Sequence, residues 1–310
     1  MRAAVLRDDV DGSGRADDLD NLQEADFVGR ILSERYETIQ IPFTSDLGKT
    51  MTELRAFAPD FVFNLVESCC GAGALAVVAT ELLETMRIPF TGNRTYAHLL
   101  SADKALAKRV MEREGIPTPS GRFKKGQAYI LKARMEHASI GLDDGCIVSP
   151  ETAEELSKVL EDKERATGRA WIAEEFVDGR EFNAALLGEE LLPPAEMCFS
   201  PDFEGRRILT YEAKWDESTP AYARSMRSFE LESDLREELC ALVRTCRACL
   251  ELKGYARVDF RMDGEGRLYV IDVNTNPCIS PDAGFMAMAV RAGLTPADVI
   301  ERIVNDAFVS

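Results

Sequence analysis

The chain has 310 residues, a formal net charge of −17 and a hydrophobic fraction of 45%. That length is enough for two or three compact units, and that charge argues against nucleic acid or an anionic membrane as a partner, leaving small molecules. No segment approaches the roughly 20 apolar residues that span a bilayer, the run before Asp8 and Asp9 is too short for a signal peptide, and the eight cysteines are scattered unlike a disulfide framework, so a reduced, cytoplasmic protein is expected.

Ala3-Ala-Val-Leu6 reads as a buried strand, followed by an acidic, glycine-containing loop to about Asp20 and a helix to about Tyr36. Thr38–Ile41 is a second strand, Asp46–Phe57 a helix, and Phe61-Val-Phe-Asn-Leu-Val66 a strongly apolar strand. A helix over Ala74–Met86 and a short strand at Ile88–Phe90 continue the alternation. Residues up to about 95 therefore predict an open α/β unit with a largely parallel sheet. Ser101 is expected to cap a helix that ends at Gly115, and the prolines of Ile116-Pro-Thr-Pro119 mark a connection to the next unit.

A small α+β unit follows, with strands at Tyr129–Lys132 and Ala170–Phe176 and a helix from Ser149 to about Lys163. Beyond Phe182 come strands at Asn183–Leu187, Leu192–Phe199 and Ile208–Ala213, a long helix over Leu231–Leu252, and a closing helix over Pro296–Phe308. Cys246 and Cys249 lie within the long helical pattern, beside Leu235, Leu239, Leu242 and Val243. They are expected to pack in the core rather than bind metal, since no second cysteine pair completes a zinc site.

The segments Gly254-Tyr-Ala-Arg257-Val-Asp259-Phe-Arg261 and Leu268-Tyr-Val-Ile-Asp272-Val-Asn274 flank a turn-rich stretch and predict a hairpin. Alternation puts Arg257, Asp259 and Arg261 on one face, and Asp272 and Asn274 repeat the two-residue spacing. A solvent-facing hairpin would also alternate in this way. Asn274-Thr-Asn276-Pro277 favours a site instead, because asparagine is a poor strand residue. Two carboxylates and an amide oxygen suit Mg²⁺, which prefers hard oxygen ligands completed by phosphates and water.

In order and spacing these segments resemble an ATP-grasp enzyme of the D-alanine–D-alanine ligase type. The resemblance rests on Phe61–Val66 with Ile88-Pro-Phe-Thr-Gly92, Asp103-Lys104 with Gly115-Ile-Pro-Thr-Pro119, Lys132, Ile172–Val177 with Glu181, Tyr211-Glu-Ala-Lys214, and the series Arg257, Asp259, Asp272, Asn274. It implies an ATP-grasp fold of mixed α/β and α+β type, with an N-terminal parallel-sheet domain at 1–95, a central subdomain at 96–181 and a C-terminal subdomain with the metal site at 182–310. The activity it implies is ATP-dependent, ADP-forming joining of a carboxylate to an amine through an acyl phosphate.

By the same resemblance, Lys104, Lys132, Ser139 and Lys214 meet the nucleotide phosphates, and Glu174, Phe176, Val177 and Glu181 line the adenosine site. Arg257 and Lys214 serve the transferring phosphoryl group, while Asp259, Asp272 and Asn274 hold Mg²⁺, with Mn²⁺ as a substitute. Dimers among such enzymes make a homodimer the expectation by analogy.

The substrate loops depart from that pattern. Asp8-Asp9-Val-Asp11-Gly-Ser-Gly14 replaces the glycine-serine loop after the first strand, and Glu67-Ser-Cys-Cys-Gly71-Ala-Gly73 replaces a charged loop after the third. Glu67 either recognises an amine or caps the following helix. The phosphate-covering loop reads Glu136-His137-Ala-Ser139-Ile-Gly141, and Cys278 stands where a glycine usually contributes its amide to the oxyanion site. Ala283 lies in the stretch that usually supplies a serine for the acceptor's carboxylate. These changes imply an amino-acid or peptide substrate pair other than two D-alanines. The alternatives are a nucleotide-binding regulatory protein without turnover, or an acyl-phosphate enzyme with a different acceptor.

Overall fold

In a computed structural model of the protein, the structure describes residues 1–10, 16–136, 142–199 and 225–309. Strand β1 (Arg2–Asp8) lies between β2 (Glu37–Phe43) and β3 (Phe61–Asn64) in a parallel sheet. Helices α1 (Ala16–Ser33), α2 (Leu47–Phe57) and α3 (Val77–Met86) make the crossovers. Alternate residues of β1 enter different cores, as the two-residue period requires. Ala3 and Val5 pack with Ala25, Val28 and Leu32 of α1, while Ala4 and Leu6 pack with Ala79 and Leu83 of α3. Burial on both faces explains the continuous apolar runs of β1 and β3, while the edge strand β2 keeps Glu37 and Gln40.

Helices α4 (Thr95–Ala102) and α5 (Lys104–Arg113) follow. The cap is Asp103, not the expected Ser101: its side chain accepts from the amides of Ala105 and Leu106. Ser101 is buried one turn earlier, its hydroxyl bonded to the His98 carbonyl and within 3.1 Å of Thr275 Oγ1. The central sheet is antiparallel, with β4 (Tyr129–Ala133) between β5 (Ile147–Val148) and β6 (Trp171–Glu175). Helix α6 (Ala153–Thr167) covers it through Leu156. This helix starts later than expected from Ser149, because Thr152 supplies the N-terminal cap to Glu155.

The third sheet contains β7 (Arg180–Leu187), β8 (Glu190–Leu191), β9 (Ala195–Phe199), β10 (Ser225–Ser228), β11 (Tyr255–Met262) and β12 (Leu268–Asn274). Its order is β10-β9-β7-β11-β12, with β8 beside β7. Helix α7 (Ser233–Leu250) buries Leu239, Val243 and Cys246 against it. Cys246 is therefore a packing residue, and Cys249 directs its thiol to the Cys246 carbonyl. Helix α8 (Gly284–Arg291), absent from the sequence expectation, precedes α9 (Pro296–Asp306). The expected strand at Ile208–Ala213 lies outside the described residues, and Ile88–Phe90 makes only a bridge from Phe90 to Val62.

The first and third sheets share one core, in which Ala3, Phe61 and Phe63 meet Leu187, Tyr255, Phe285 and Ile303. Asn93 ties the seam by donating to the carbonyls of Tyr255 and Thr275, both at 2.8 Å. Gly254 is required there: its φ is +67°, and a Cβ would lie 2.7 Å from Gly92 Cα. This packing fixes the hairpin's polar face relative to the N-terminal loops.

Candidate active site

The β11–β12 register brings four functional side chains together. Arg257 pairs with Asn274 and Asp259 with Asp272, and the register then shifts so that Phe260 pairs with Val270. Residues directly opposite in an antiparallel pair share a face, so the arginine, both carboxylates and the amide converge. Ile271 is the extra residue of the resulting bulge, which leaves its backbone outside regular pairing. Its carbonyl accepts from Lys132 Nζ at 3.2 Å. The central sheet thus delivers an amine beside Asp272.

Arg257 Nε and Nη2 donate to the two oxygens of Asp259 at 2.7 and 2.9 Å, and Asn183 Nδ2 donates to Asp259 Oδ1 at 2.7 Å. Burial opposes the arginine's charge, but Asp259, with a further contribution from Asp272, holds it protonated above its ordinary range. A guanidinium now neutralises the carboxylate that a cation would otherwise meet. Two carboxylates and the Asn274 amide fit a hard divalent ion that also takes phosphate oxygens. Among the described residues, no group of three His, Cys, Asp or Glu side chains is placed to hold a metal by itself. The donor set therefore suits an ion shared with a nucleotide.

On the central side, Glu174 is 1% exposed and sits between two amines. Lys132 Nζ lies 2.9 Å from its Oε2, and Lys108 Nζ 3.2 Å from its Oε1. Burial favours the neutral acid, yet the paired lysines hold the Glu174 carboxyl below its usual range. Burial also depresses Lys108, against the pull of Glu174. Lys104 Nζ donates to the Glu136 carbonyl at 2.5 Å. Glu181 pairs with Arg261 at 2.8 Å, and Arg261 also lies 5.8 Å from the centre of the Phe176 ring. Phe176 packs by Ile130 and Ile147, and Val177 is buried nearby. Lys214, Ser139 and His137 lie outside the described residues.

Glu67 and Cys278 occupy a second corner, joined to the end of the hairpin through Asn276, which bonds to the Val66 carbonyl next to Glu67. Asp8 holds the start of the Glu67 loop, accepting from the amides of Glu67 and Ser68 at 2.9 and 3.1 Å and from the Ser68 hydroxyl at 2.7 Å. The Cys278 thiol donates to Asp20 at 3.3 Å, and Glu24 accepts the Ile279 amide at 2.6 Å. Burial pushes the Cys278 thiol well up, with Glu24, Asp20 and Glu67 adding to the shift. Glu24 itself is raised to about 8, chiefly by burial. The buried Tyr255 hydroxyl donates to Asn276 Oδ1 at 2.6 Å, and Asn276 Nδ2 reaches the Val66 carbonyl at 3.3 Å.

Sequence reasoning missed Lys108, Asn183, Asp20 and Glu24. Lys108 had a signal, since it stands one helical turn beyond Lys104. Asn183 had another, as a lone amide in the apolar run of β7. Asp20 and Glu24 matter only once α1 packs beside Cys278, a contact that no local spacing encodes.

A family model described as D-ala D-ala ligase C-terminus matches residues 126–305. An uncharacterized protein, y4sG, of Sinorhizobium fredii is 30% identical over 285 residues, covering 84% of this chain and 80% of its own. A D-alanine–D-alanine ligase of Carboxydothermus hydrogenoformans is 28% identical over 308 residues, covering 92% of each chain. The crystal structure of a D-alanine–D-alanine ligase from Bacillus anthracis, also solved in complex with ATP, superposes with a TM-score of 0.75 at 18% identity, covering 100% of this chain and 98% of that one. The chain belongs to the D-alanine–D-alanine ligase family, and is a ligase of the ATP-grasp fold that forms a carbon–nitrogen bond.

Proposed function

We propose that this ATP-dependent carboxylate–amine ligase works through an acyl phosphate, releases ADP and phosphate, and acts on an acid and an amine other than two D-alanines. Residues 1–95 serve the substrates, and 96–181 and 182–310 hold the nucleotide between them. The observation that carries the reading is the β11–β12 register, which gathers Arg257, Asp259, Asp272 and Asn274 while Lys132 reaches the Ile271 carbonyl.

In the reaction, the acid's carboxylate oxygen attacks the γ-phosphorus of ATP and ADP leaves. The amine then attacks the acyl carbon and phosphate leaves. Lys104, Lys132 and Lys214 offset charge on the phosphates, where positioning and electrostatics account for most of the catalysis. Arg257 leaves Asp259 to meet the transferring phosphoryl oxygens, and its planar fork and permanent charge suit that task. The Cys278 amide and Arg257 face the oxyanion formed when the amine attacks. Asp259, Asp272 and Asn274 would hold Mg²⁺, or Mn²⁺ in its place, which when bound neutralises phosphate charge. Glu174 anchors Lys132 at the edge of the adenosine site, which Phe176, Val177 and Glu181 line.

The substrate loops of this chain depart from the pattern that the sequence resemblance leads one to expect. Asp20, Glu24, Glu67 and Cys278 form an acidic, thiol-bearing corner here, which supports a different pair of substrates. The test is phosphate release from Mg·ATP by the purified chain against paired pools of acids and amines. Release that requires one member of each pool supports the reading; failure to bind ATP at saturating Mg²⁺ ends it.

A further inference from the structure

The Glu67 loop is gripped at both ends, and by different parts of the molecule. Asp8 of β1 holds its beginning. Its end is held from the central sheet: Glu136, which is 9% exposed, accepts the Gly73 amide at 3.1 Å on Oε2 and lies 3.4 Å from Arg169 Nε through Oε1. Arg169 Nη2 completes the grip by donating to the Gly71 carbonyl at 3.3 Å. Gly73 suits this contact, since a Cβ there would lie 3.1 Å from both Glu136 Oε2 and the Met135 carbonyl.

The same residue touches the nucleotide side. Lys104, one of the amines assigned above to the phosphates, rests on the Glu136 carbonyl, and Lys132 lies four residues before Glu136 at the end of β4. Arg134 between them pairs with Asp103, the cap of α5, through two bonds of 2.8 and 2.6 Å. Lys104 and β4 are thus connected to the Gly71–Gly73 backbone through a chain of charge-assisted contacts, the last of them at 3.1 to 3.4 Å.

We propose that Glu136 and Arg169 form a clasp through which nucleotide binding on the central sheet stiffens the Glu67–Gly73 loop, so that the nucleotide and the substrate that this loop meets bind with positive cooperativity. Both are positioning residues, and the inference rests on the ATP-site reading above. By reciprocity, a substrate seated beside Glu67 then tightens nucleotide binding by the same factor.

The test is amide hydrogen exchange on the full chain with and without Mg·ADP, in wild type, Arg169→Ala and Gly73→Ala. Binding is expected to slow exchange over residues 69–76 of the wild type by about fivefold or more. That increment should vanish in both variants, while protection of β4 and β6 by the nucleotide persists. Unchanged protection of 69–76 in the variants, or none in a wild type whose β4 and β6 are protected, overturns the clasp alone. Absence of nucleotide protection anywhere overturns the ATP-site reading with it.

Discussion

Arg257 and Asp259 close a two-pronged ion pair at 2.7 and 2.9 Å on the face that also carries Asp272 and Asn274. The guanidinium occupies the carboxylate that, on the proposed reading, a bound nucleotide's metal ion would share, so Asp259 would serve alternately as its partner and as a metal ligand. Arg257→Ala is expected to lower ligation by roughly 10²–10³-fold, the range for removing a single oxyanion donor, while nucleotide affinity stays near wild type. Steady-state turnover beside equilibrium ATP binding reads the two effects separately. Equal losses in both would place Arg257 in ground-state binding instead.

The proposed exchange of partners at Asp259 predicts a metal dependence. Asp272→Ala and Asp259→Ala each remove one of only two carboxylates, and the ion then relies on phosphates, water and Asn274. Both are expected to raise the Mg²⁺ concentration for half-maximal turnover by about tenfold or more, equivalent to about 1.4 kcal/mol. A Mg²⁺ titration at saturating ATP checks this, and an unchanged midpoint would remove the hairpin from the metal site.

Glu174 holds two amines with one carboxylate, all largely buried. Glu174→Ala leaves Lys132 and Lys108 facing each other without a counter-charge, and breaking a buried pair in this way costs about 3–5 kcal/mol. Denaturant unfolding should show a loss of that order, accompanied by weaker ATP binding because Lys132 is no longer aimed at the hairpin. A loss below about 1 kcal/mol would mean that water already shields the triad.

The hairpin was legible in the sequence because its chemistry repeats every second residue and its turn carries Asp263, Gly264 and Gly266. The bulge that frees Ile271 was not, since a register shift leaves no mark on alternation. Asp103 outcompeted Ser101 as a helix cap because the chain folds Ser101 into the preceding helix, and capping propensity says nothing about which candidate is buried. The charged corner around Glu24 depends on α1 meeting the Cys278 turn across more than 250 residues of chain. Lys214 and Ser139 lie outside the described residues, so their roles rest on the family pattern.

Glu24 supplies a pH signature. It is 1% exposed, and burial, reinforced by Asp20 and Asp8, raises its pKa from 4.5 to about 8. Between those values the folded protein keeps a proton that the unfolded chain has released, so stability falls as pH rises through the window, on the order of 1 kcal/mol per pH unit. Below 4.5 the group is neutral in both states and costs nothing; above about 8 it is ionised in both and the slope ends. Glu24→Gln, which cannot ionise, should flatten unfolding free energy against pH over that window. Parallel curves for variant and wild type would show that Glu24 does not titrate there.

The central claim is that the terminal phosphate of ATP activates an acid before the amine arrives. Once an accepted pair is identified, the acid is labelled with ¹⁸O in its carboxylate and the released phosphate is weighed by mass spectrometry. Attack by the carboxylate on the γ-phosphorus predicts one ¹⁸O in each phosphate and ADP as the other product. Phosphate free of label, or AMP in place of ADP, would contradict it.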